Sequence, residues 1–307
     1  MMRLYYIYGG IILDLVNYLT NETSLNQSSK KSDQEKKLEK IKNQIDDDGL
    51  YIYDNFLSKE EINELKKLIQ GYEFKLRLTD NEKNSSNKHH NFRSKFDPQN
   101  PKTVLYEFDK SYLINQKIIQ KILLKNELID ISERYFGSKA FFDHVSLSIS
   151  TNFNKKADSN AAQMYHFDLD RPKWLKFLTY VNDVDFSNGP HCYIKKTHKN
   201  YTIPYKMRSK GYVRFAENNE DLLNLKKNEI KINGKAGTSI IEDTKGFHKG
   251  EVVKNGYRIL LNIQINSSMF GCPYEKIKIN KIDDDLIHSF KSKKNFFQFT
   301  TNLEELL

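Results

Sequence analysis

Val145-Ser146-Leu147-Ser148-Ile149-Ser150 alternates an apolar residue with a serine three times in succession. Successive side chains of a strand point to opposite faces, so this run predicts a strand with one oily face and one hydroxyl face. Further strand-like runs follow at 162–168, 174–182, 190–195, 229–232, 238–242 and 257–266. Asn188-Gly189, Asn233-Gly234 and Asn255-Gly256 punctuate them as turn signals. On the N-terminal side the period is helical. Ser58-Lys59-Glu60-Glu61 is a capping box, with Ser58 as N-cap and Glu61 three positions on. The helix it starts places Ile62, Leu65, Leu68 and Ile69 on one face and stops at Gly71. Residues 115–136 predict one amphipathic helix ended by Gly137. Helices followed by many short strands predict an α+β domain whose sheet part is a sandwich or jelly roll.

Outside that region the chain is polar. Residues 1–20 hold a short apolar stretch interrupted by Gly9, Gly10 and Asp14, and no small-x-small cleavage site follows. Residues 21–47 are lysine-rich and polar. The expected organisation is therefore an extension and polar linker over 1–48, the folded domain over 49–274, and a C-terminal extension over 275–307. Residues 78–101 lack an apolar period and are expected to be a long loop, a substrate-contacting lid being one use for it.

The 307 residues suffice for a sizeable core, and no apolar run approaches the ~18–20 residues that span a bilayer. Two cysteines, Cys192 and Cys272, exclude a disulfide scaffold and a thiolate cluster, so a reducing, cytoplasmic setting is expected. The net charge of +9 raises the question of nucleic acid. The excess is carried by 41 lysines against 8 arginines. Base readers lean on the planar fork of arginine, so nucleic acid is not the expected partner. A small anionic substrate suits the charge better. The competing reading is a non-catalytic basic β-sandwich that binds anionic ligands or nucleic acid.

Chemistry concentrates in three places. In Tyr165-His166-Phe167-Asp168, His166 and Asp168 stand two apart and share a strand face. Gly246-Phe247-His248 adds a second imidazole 80 residues later, and Arg258 follows ten residues after that. Two histidines and a carboxylate on one face of an octahedron suit divalent iron and leave three positions open. A buried arginine beside a metal needs an anionic partner, which a dicarboxylate co-substrate supplies as a bidentate pair. Asp170 is the alternative carboxylate. Lys176 shares a strand face with Trp174, Leu178 and Tyr180 and is a candidate for a carboxylate of co-substrate or substrate. Gln163 is a candidate hydrogen-bond donor to the co-substrate. His191, Asn262 and Gln264 are candidate pocket residues. His198, like His191, is expected to be structural or to line the pocket, His144 stands next to Asp143 in a strand, and His89-His90 are expected to be solvated in the polar loop.

These motifs resemble the phytanoyl-CoA dioxygenase-like branch of the 2-oxoglutarate/iron(II) oxygenases. The resemblance lies in Gln163–Phe177, in Tyr180–Val184 running into Asn188-Gly189-Pro190-His191-Cys192-Tyr193 and Thr197-His198-Lys199, and in Glu242–Gly250. It covers roughly 49–271. It implies a double-stranded β-helix (a cupin-like jelly roll) with N-terminal helices packed on the sheet, and iron(II), 2-oxoglutarate and O2 as cofactor and co-substrates. It further implies His166, Asp168 and His248 as metal ligands and Arg258 as the holder of the distal carboxylate. The family usually has Pro-Gly-Ser before the histidine that matches His198, where this chain has Lys195-Lys196-Thr197. Halogenating members carry a small residue in place of the carboxylate. Asp168 is present, so hydroxylation of a small substrate, anionic or sugar- or lipid-related, is expected, with release of succinate and CO2.

Overall fold

The serine-alternating run lies in the longest strand of the protein. The computed structural model describes residues 32–77, 92–199, 202–211, 213–268, 270, 277–299 and 306. Eleven strands are named among them: β1 (Leu50–Tyr53), β2 (Glu73–Leu76), β3 (Arg93–Lys95), β4 (Leu105–Glu107), β5 (Phe141–Thr151), β6 (Trp174–Tyr180), β7 (His191–Ile194), β8 (Glu229–Ile232), β9 (Ser239–Glu242), β10 (His248–Gly250) and β11 (Tyr257–Asn266). Eight form one antiparallel sheet in the order β1-β9-β6-β11-β5-β4-β2-β3, and β10-β7-β8 form a second. This double-layered antiparallel architecture is the jelly-roll frame that the alternation predicts.

The pleat of β5 sorts its residues. Val145, Leu147 and Ile149 join the main core on the outer face of the large sheet, while Ser148 and Ser150 face an interior cavity. Register carries that division across the sheet. Ser150 sits opposite Arg258, Ser148 opposite Leu260 and Ser146 opposite Asn262. Leu178 and Lys176 then stand opposite Asn262 and Gln264, and Lys176 stands opposite Glu242. Even-numbered residues of β11 therefore face inward, and Ile259, Leu261, Ile263 and Ile265 enter the main core. A smaller apolar cluster of Leu50, Leu178, Tyr180, Tyr193, Ile232 and Ile240 joins the two sheets.

Helices cover the outer core: α1 (Asp33–Asp48), α2 (Lys59–Ile69), α3 (Lys110–Leu113), α4 (Lys117–Leu123) and α5 (Asn126–Phe136). The Ser58–Glu61 capping box is present on α2. The single helix expected over 115–136 is two, because Lys125 adopts an extended backbone between α4 and α5. Residues 162–168 are not a continuous strand. They meet their neighbours through isolated bridges, Tyr165 to Phe215 and His166 to His248. The chain enters them from a turn in which the Asp158 carboxylate accepts from the Asn160 and Ala161 N–H groups. Of the expected loop 78–101, residues 78–91, with His89-His90, lie outside the described residues, and Arg93–Lys95 is the edge strand β3.

Both expected extensions need correction over their described parts. Ser32 and Glu35 form a capping box on α1, and the helix ends at Gly49 with φ of 91°. A Cβ at Gly49 would fall 2.2 Å from the Tyr193 hydroxyl, so chain direction and packing both require glycine there. Ile41 and Ile45, hidden in a lysine-rich stretch, are fully buried against the core. At the other end Ile277, Ile279, Phe290, Phe296 and Phe297 belong to the same core. Ile45→Ala should cost about 2–5 kcal/mol in urea unfolding. A loss near zero would return residues 33–48 to the status of a linker.

Candidate metal centre

His166 and His248 are brought together by their backbones. The His166 N–H donates to the His248 carbonyl at 3.1 Å, and the His248 N–H donates back at 2.9 Å. Their rings lie 4.2 Å apart, centroid to centroid. The Asp168 N–H donates to the Thr244 carbonyl at 2.8 Å, which fixes the third side chain against the same segment. Asp168 Oδ1 is 3.8 Å from His166 Nε2, and Oδ2 is 3.6 Å from His248 Nε2. One ligand atom from each of the three lies within 4.8 Å of the others, and all three residues are buried.

The donor chemistry fits a divalent cation. His166 Nδ1 donates to the Met164 carbonyl and His248 Nδ1 to the Gly246 carbonyl, each at 3.0 Å. A carbonyl can only accept, so each Nδ1 carries the proton and each Nε2 keeps its lone pair. Burial pushes both imidazole pKa values down, that of His166 far down, so both rings are neutral near pH 7. Burial acts to raise the Asp168 pKa. Lys176 and the two imidazoles outweigh it and hold the carboxyl well below the ordinary range. Two neutral nitrogens and one ionised oxygen therefore converge.

Arg258 lies on the same wall. It is buried, with Nη1 donating to the Gly189 carbonyl and Nη2 to Ser150 Oγ at 3.3 Å. Its Nε has no hydrogen-bond partner, and among the described residues no carboxylate comes within ion-pair distance of it. Burial lowers its pKa, the signature of a cation short of a counter-charge. A Cβ at Gly250 would fall 2.7 Å from Nη2, so glycine there leaves room for the fork. The triad, Lys176 and Arg258 line one cavity of about 240 Å³, together with Ser148, Ser150, His191, Arg214, Glu242, Lys249 and Asn262. Ala162 lines it too, with φ of 55°, a left-handed backbone that few alanines adopt.

The sequence model of the family described as phytanoyl-CoA dioxygenase (PhyH) matches residues 45–257. The chain belongs to the phytanoyl-CoA dioxygenase family. Membership makes it an oxidoreductase of the iron- and 2-oxoglutarate-dependent dioxygenase type. No curated protein matches it significantly. Among solved structures it is similar to the α-ketoglutarate-dependent epimerase SnoN from nogalamycin biosynthesis, with a TM-score of 0.55 at 13% identity over 75% of this chain and 83% of that one. It is similar to HygX from Streptomyces hygroscopicus, crystallised with nickel, 2-oxoglutarate and hygromycin B, with a TM-score of 0.54 at 12% identity over 80% and 92%. It is also similar to EctD from S. alaskensis with bound Fe, with a TM-score of 0.50 at 13% identity over 80% and 79%. These likenesses establish the shared fold.

Other expected site residues of this family member fall in different places. Lys176 lines the cavity, but its ammonium sits 2.5 Å from Asp168 Oδ2 and 3.7 Å from Asp170 Oδ2. It thus acts on the candidate ligand itself. Asp170 is partly exposed and lies outside the converging set. Gln163 does not line the cavity. Its amide oxygen accepts from the Asp158 N–H at 3.0 Å and closes the turn that precedes the triad. Gln264 shares the strand face of Arg258 yet donates to Asp143 at 2.8 Å, in a group that includes Arg171. Asn262 and His191 do line the cavity. His198 is structural, its Nε2 lying 3.0 Å from the Asp46 carbonyl in the last turn of α1.

Glu242 went unread as a site residue. It is wholly buried, lines the cavity, and its Oε2 accepts from His191 Nε2 at 2.9 Å. Its sequence signal was its place at the end of a strand run leading into Gly246-Phe247-His248. Arg214 and Lys249 carried no such signal.

Burial also makes four imidazoles pH-sensitive. It lowers His166, His198 and His248, and it takes His144 to about 4 with help from Lys110 and Lys176. An unfolded histidine titrates near 6.5. Below that pH the unfolded chain binds protons that the folded chain refuses, so stability falls as pH drops from about 6.5 toward about 4. Asp168 adds a slope of the same sign at the lower end of this window, because its pKa is lower in the folded chain than in the unfolded one. The thermal midpoint of metal-free protein should be lower at pH 5 than at pH 7. An equal or higher midpoint at pH 5 would contradict this.

Proposed function

We propose that the chain is an iron(II)/2-oxoglutarate-dependent hydroxylase of a small molecule. His166, Asp168 and His248 hold the metal in this reading, and Arg258 takes the distal carboxylate of 2-oxoglutarate. The observation that carries it is the convergence of two imidazoles, each tied through Nδ1 to a carbonyl, and an ionised carboxylate on a cavity wall shared with a buried arginine that has no carboxylate within ion-pair distance among the described residues. Bound there, iron(II) with 2-oxoglutarate and O2 supplies oxidative decarboxylation to succinate and CO2 and an oxidant able to take hydrogen from a C–H bond.

The protein's own residues orient and shield. Arg258 fixes one end of the keto acid, so its reacting end has one orientation. Lys176 holds Asp168 in place and keeps it ionised. The carboxylate of Asp168 fills the position that a small residue leaves open in halogenating relatives, which favours hydroxylation. An anionic substrate is supported by a second cavity of about 740 Å³ on the same sheet face, where Lys75, Arg77, Lys110 and Lys278 outnumber Glu107 and Asp109, and which His144 and Ser146 also line. Ser146 reaches Asn262 of the first cavity at 3.5 Å, so the two adjoin. Among the described residues no helix is long and apolar enough to cross a membrane. The test is succinate formation and O2 uptake with iron(II) and 2-oxoglutarate. Both should depend on added iron. Succinate no higher than in the metal-free control would overturn the proposal.

A further inference from the structure

Glu242 Oε1 is a buried carboxylate oxygen with no hydrogen-bond partner, on a residue that lines the metal cavity. Its other oxygen is held by His191, whose ring lies 5.9 Å from that of His248. On the sheet Glu242 stands directly opposite Lys176, which touches Asp168. The unmet oxygen therefore belongs to the surroundings of the candidate metal. Leaving such an acceptor unpaired is costly, so a donor is expected to meet it when the site is filled.

Neither the metal nor the keto acid supplies that donor. As its dianion, 2-oxoglutarate has carboxylate and ketone oxygens only, all of them acceptors. Water can meet the oxygen while the site is empty, and a substrate that displaces that water loses affinity unless it brings a donor of its own. A substrate ammonium is disfavoured beside the buried Arg258, which has no carboxylate within ion-pair distance among the described residues and lines the same cavity. An acyl chain has no donor to offer. A hydroxyl donates without bringing positive charge.

We infer that Glu242, positioned by His191, anchors a hydroxyl group of the substrate, which is therefore a polyhydroxylated, sugar- or polyol-like molecule rather than an acyl chain or an amine. Asn262 Oδ1, a second buried acceptor without a partner on the same wall, adds a further point for a donor. This inference rests on the metal reading and adds the substrate class and the residue that selects it.

The experiment loads the protein with manganese(II) and saturating 2-oxoglutarate, after the affinity for each has been measured. Broadening of the proton resonances of myo-inositol, of its monoamine analogue and of hexanoate by the bound ion is then compared. This readout detects weak binders close to the metal. Wild type should broaden myo-inositol most. Glu242→Met, which removes the acceptor at similar volume, should weaken myo-inositol binding by about tenfold or more. Glu242→Gln should keep part of the binding, because its amide still hydrogen-bonds a hydroxyl. Manganese and 2-oxoglutarate affinities should stay near wild type in both variants, whereas the thermal midpoint of Glu242→Met should fall because His191 Nε2 loses its partner. Manganese bound but myo-inositol unbroadened, equally broadened in Glu242→Met, or outdone by hexanoate or the amine would overturn the inference alone. Failure to bind manganese would overturn the metal reading and this inference with it.

Discussion

His166→Ala and His248→Ala should each lower manganese(II) affinity by about a hundredfold or more, from one ion per chain in wild type. Partners that merely orient a ligand are worth about ten- to a hundredfold, so loss of a ligand sets that as a floor. Among the described residues no spare imidazole stands ready to substitute. His191 is the nearest, and its Nε2 is committed to Glu242 at 2.9 Å. Both substitutions also remove a buried ring and leave a cavity, so folding should be checked by circular dichroism before calorimetry. Unchanged manganese affinity in both variants would remove the two histidines from the metal site.

Arg258→Ala should weaken 2-oxoglutarate binding to the manganese form by about ten- to a hundredfold while leaving the metal in place. The estimate follows from a charge-assisted contact of roughly 1.5–3 kcal/mol. The guanidinium lies on β11, and among the described residues its hydrogen bonds go to the Gly189 carbonyl and Ser150 Oγ. Neither neutralises its charge, and in the proposed function the 2-oxoglutarate carboxylate does. Arg258→Lys should recover only part of the affinity, because an ammonium cannot form the two parallel bonds. Calorimetry with 2-oxoglutarate decides it. Equal affinity in wild type and Arg258→Ala would assign the distal carboxylate to another residue.

The sheet half of the fold was legible because its strands alternate. Val145, Leu147 and Ile149 against Ser146, Ser148 and Ser150 state both the strand and the side on which the cavity lies. The helices at the two ends were harder to read. Ile41 and Ile45 are buried residues one helical turn apart in a run of lysines and aspartates, and propensity does not distinguish such a stripe from a solvated helix. The phenylalanines of 290–297 carry no clear period, and tertiary packing alone gives them their place.

The triad was legible from spacing, although the strand that justified the i, i+2 argument is only a pair of isolated bridges. What holds His166 and Asp168 on one side is backbone pairing to His248 and Thr244. Gln163 and Gln264 were misread because a side chain on the right face can still be spent on a neighbour, Asp158 in one case and Asp143 in the other. Glu242 was missed because its one local signal, the end of a strand run before Gly246-Phe247-His248, does not say that the carboxylate is buried. Its role arises from His191, 51 residues away on the other sheet, and the packing of the two sheets joins them.

The claim at the centre of this account is that the third ligand is Asp168 and not its neighbour Asp170. Only Asp168 has both oxygens within 4 Å of an imidazole nitrogen, while Asp170 is partly exposed and faces Lys176. Manganese(II) titration of wild type, Asp168→Asn and Asp170→Asn by calorimetry tests this most directly. The account predicts one ion per chain at near-equal affinity in wild type and Asp170→Asn, and a loss of about a hundredfold or more in Asp168→Asn. Retained manganese in Asp168→Asn with loss in Asp170→Asn would contradict it.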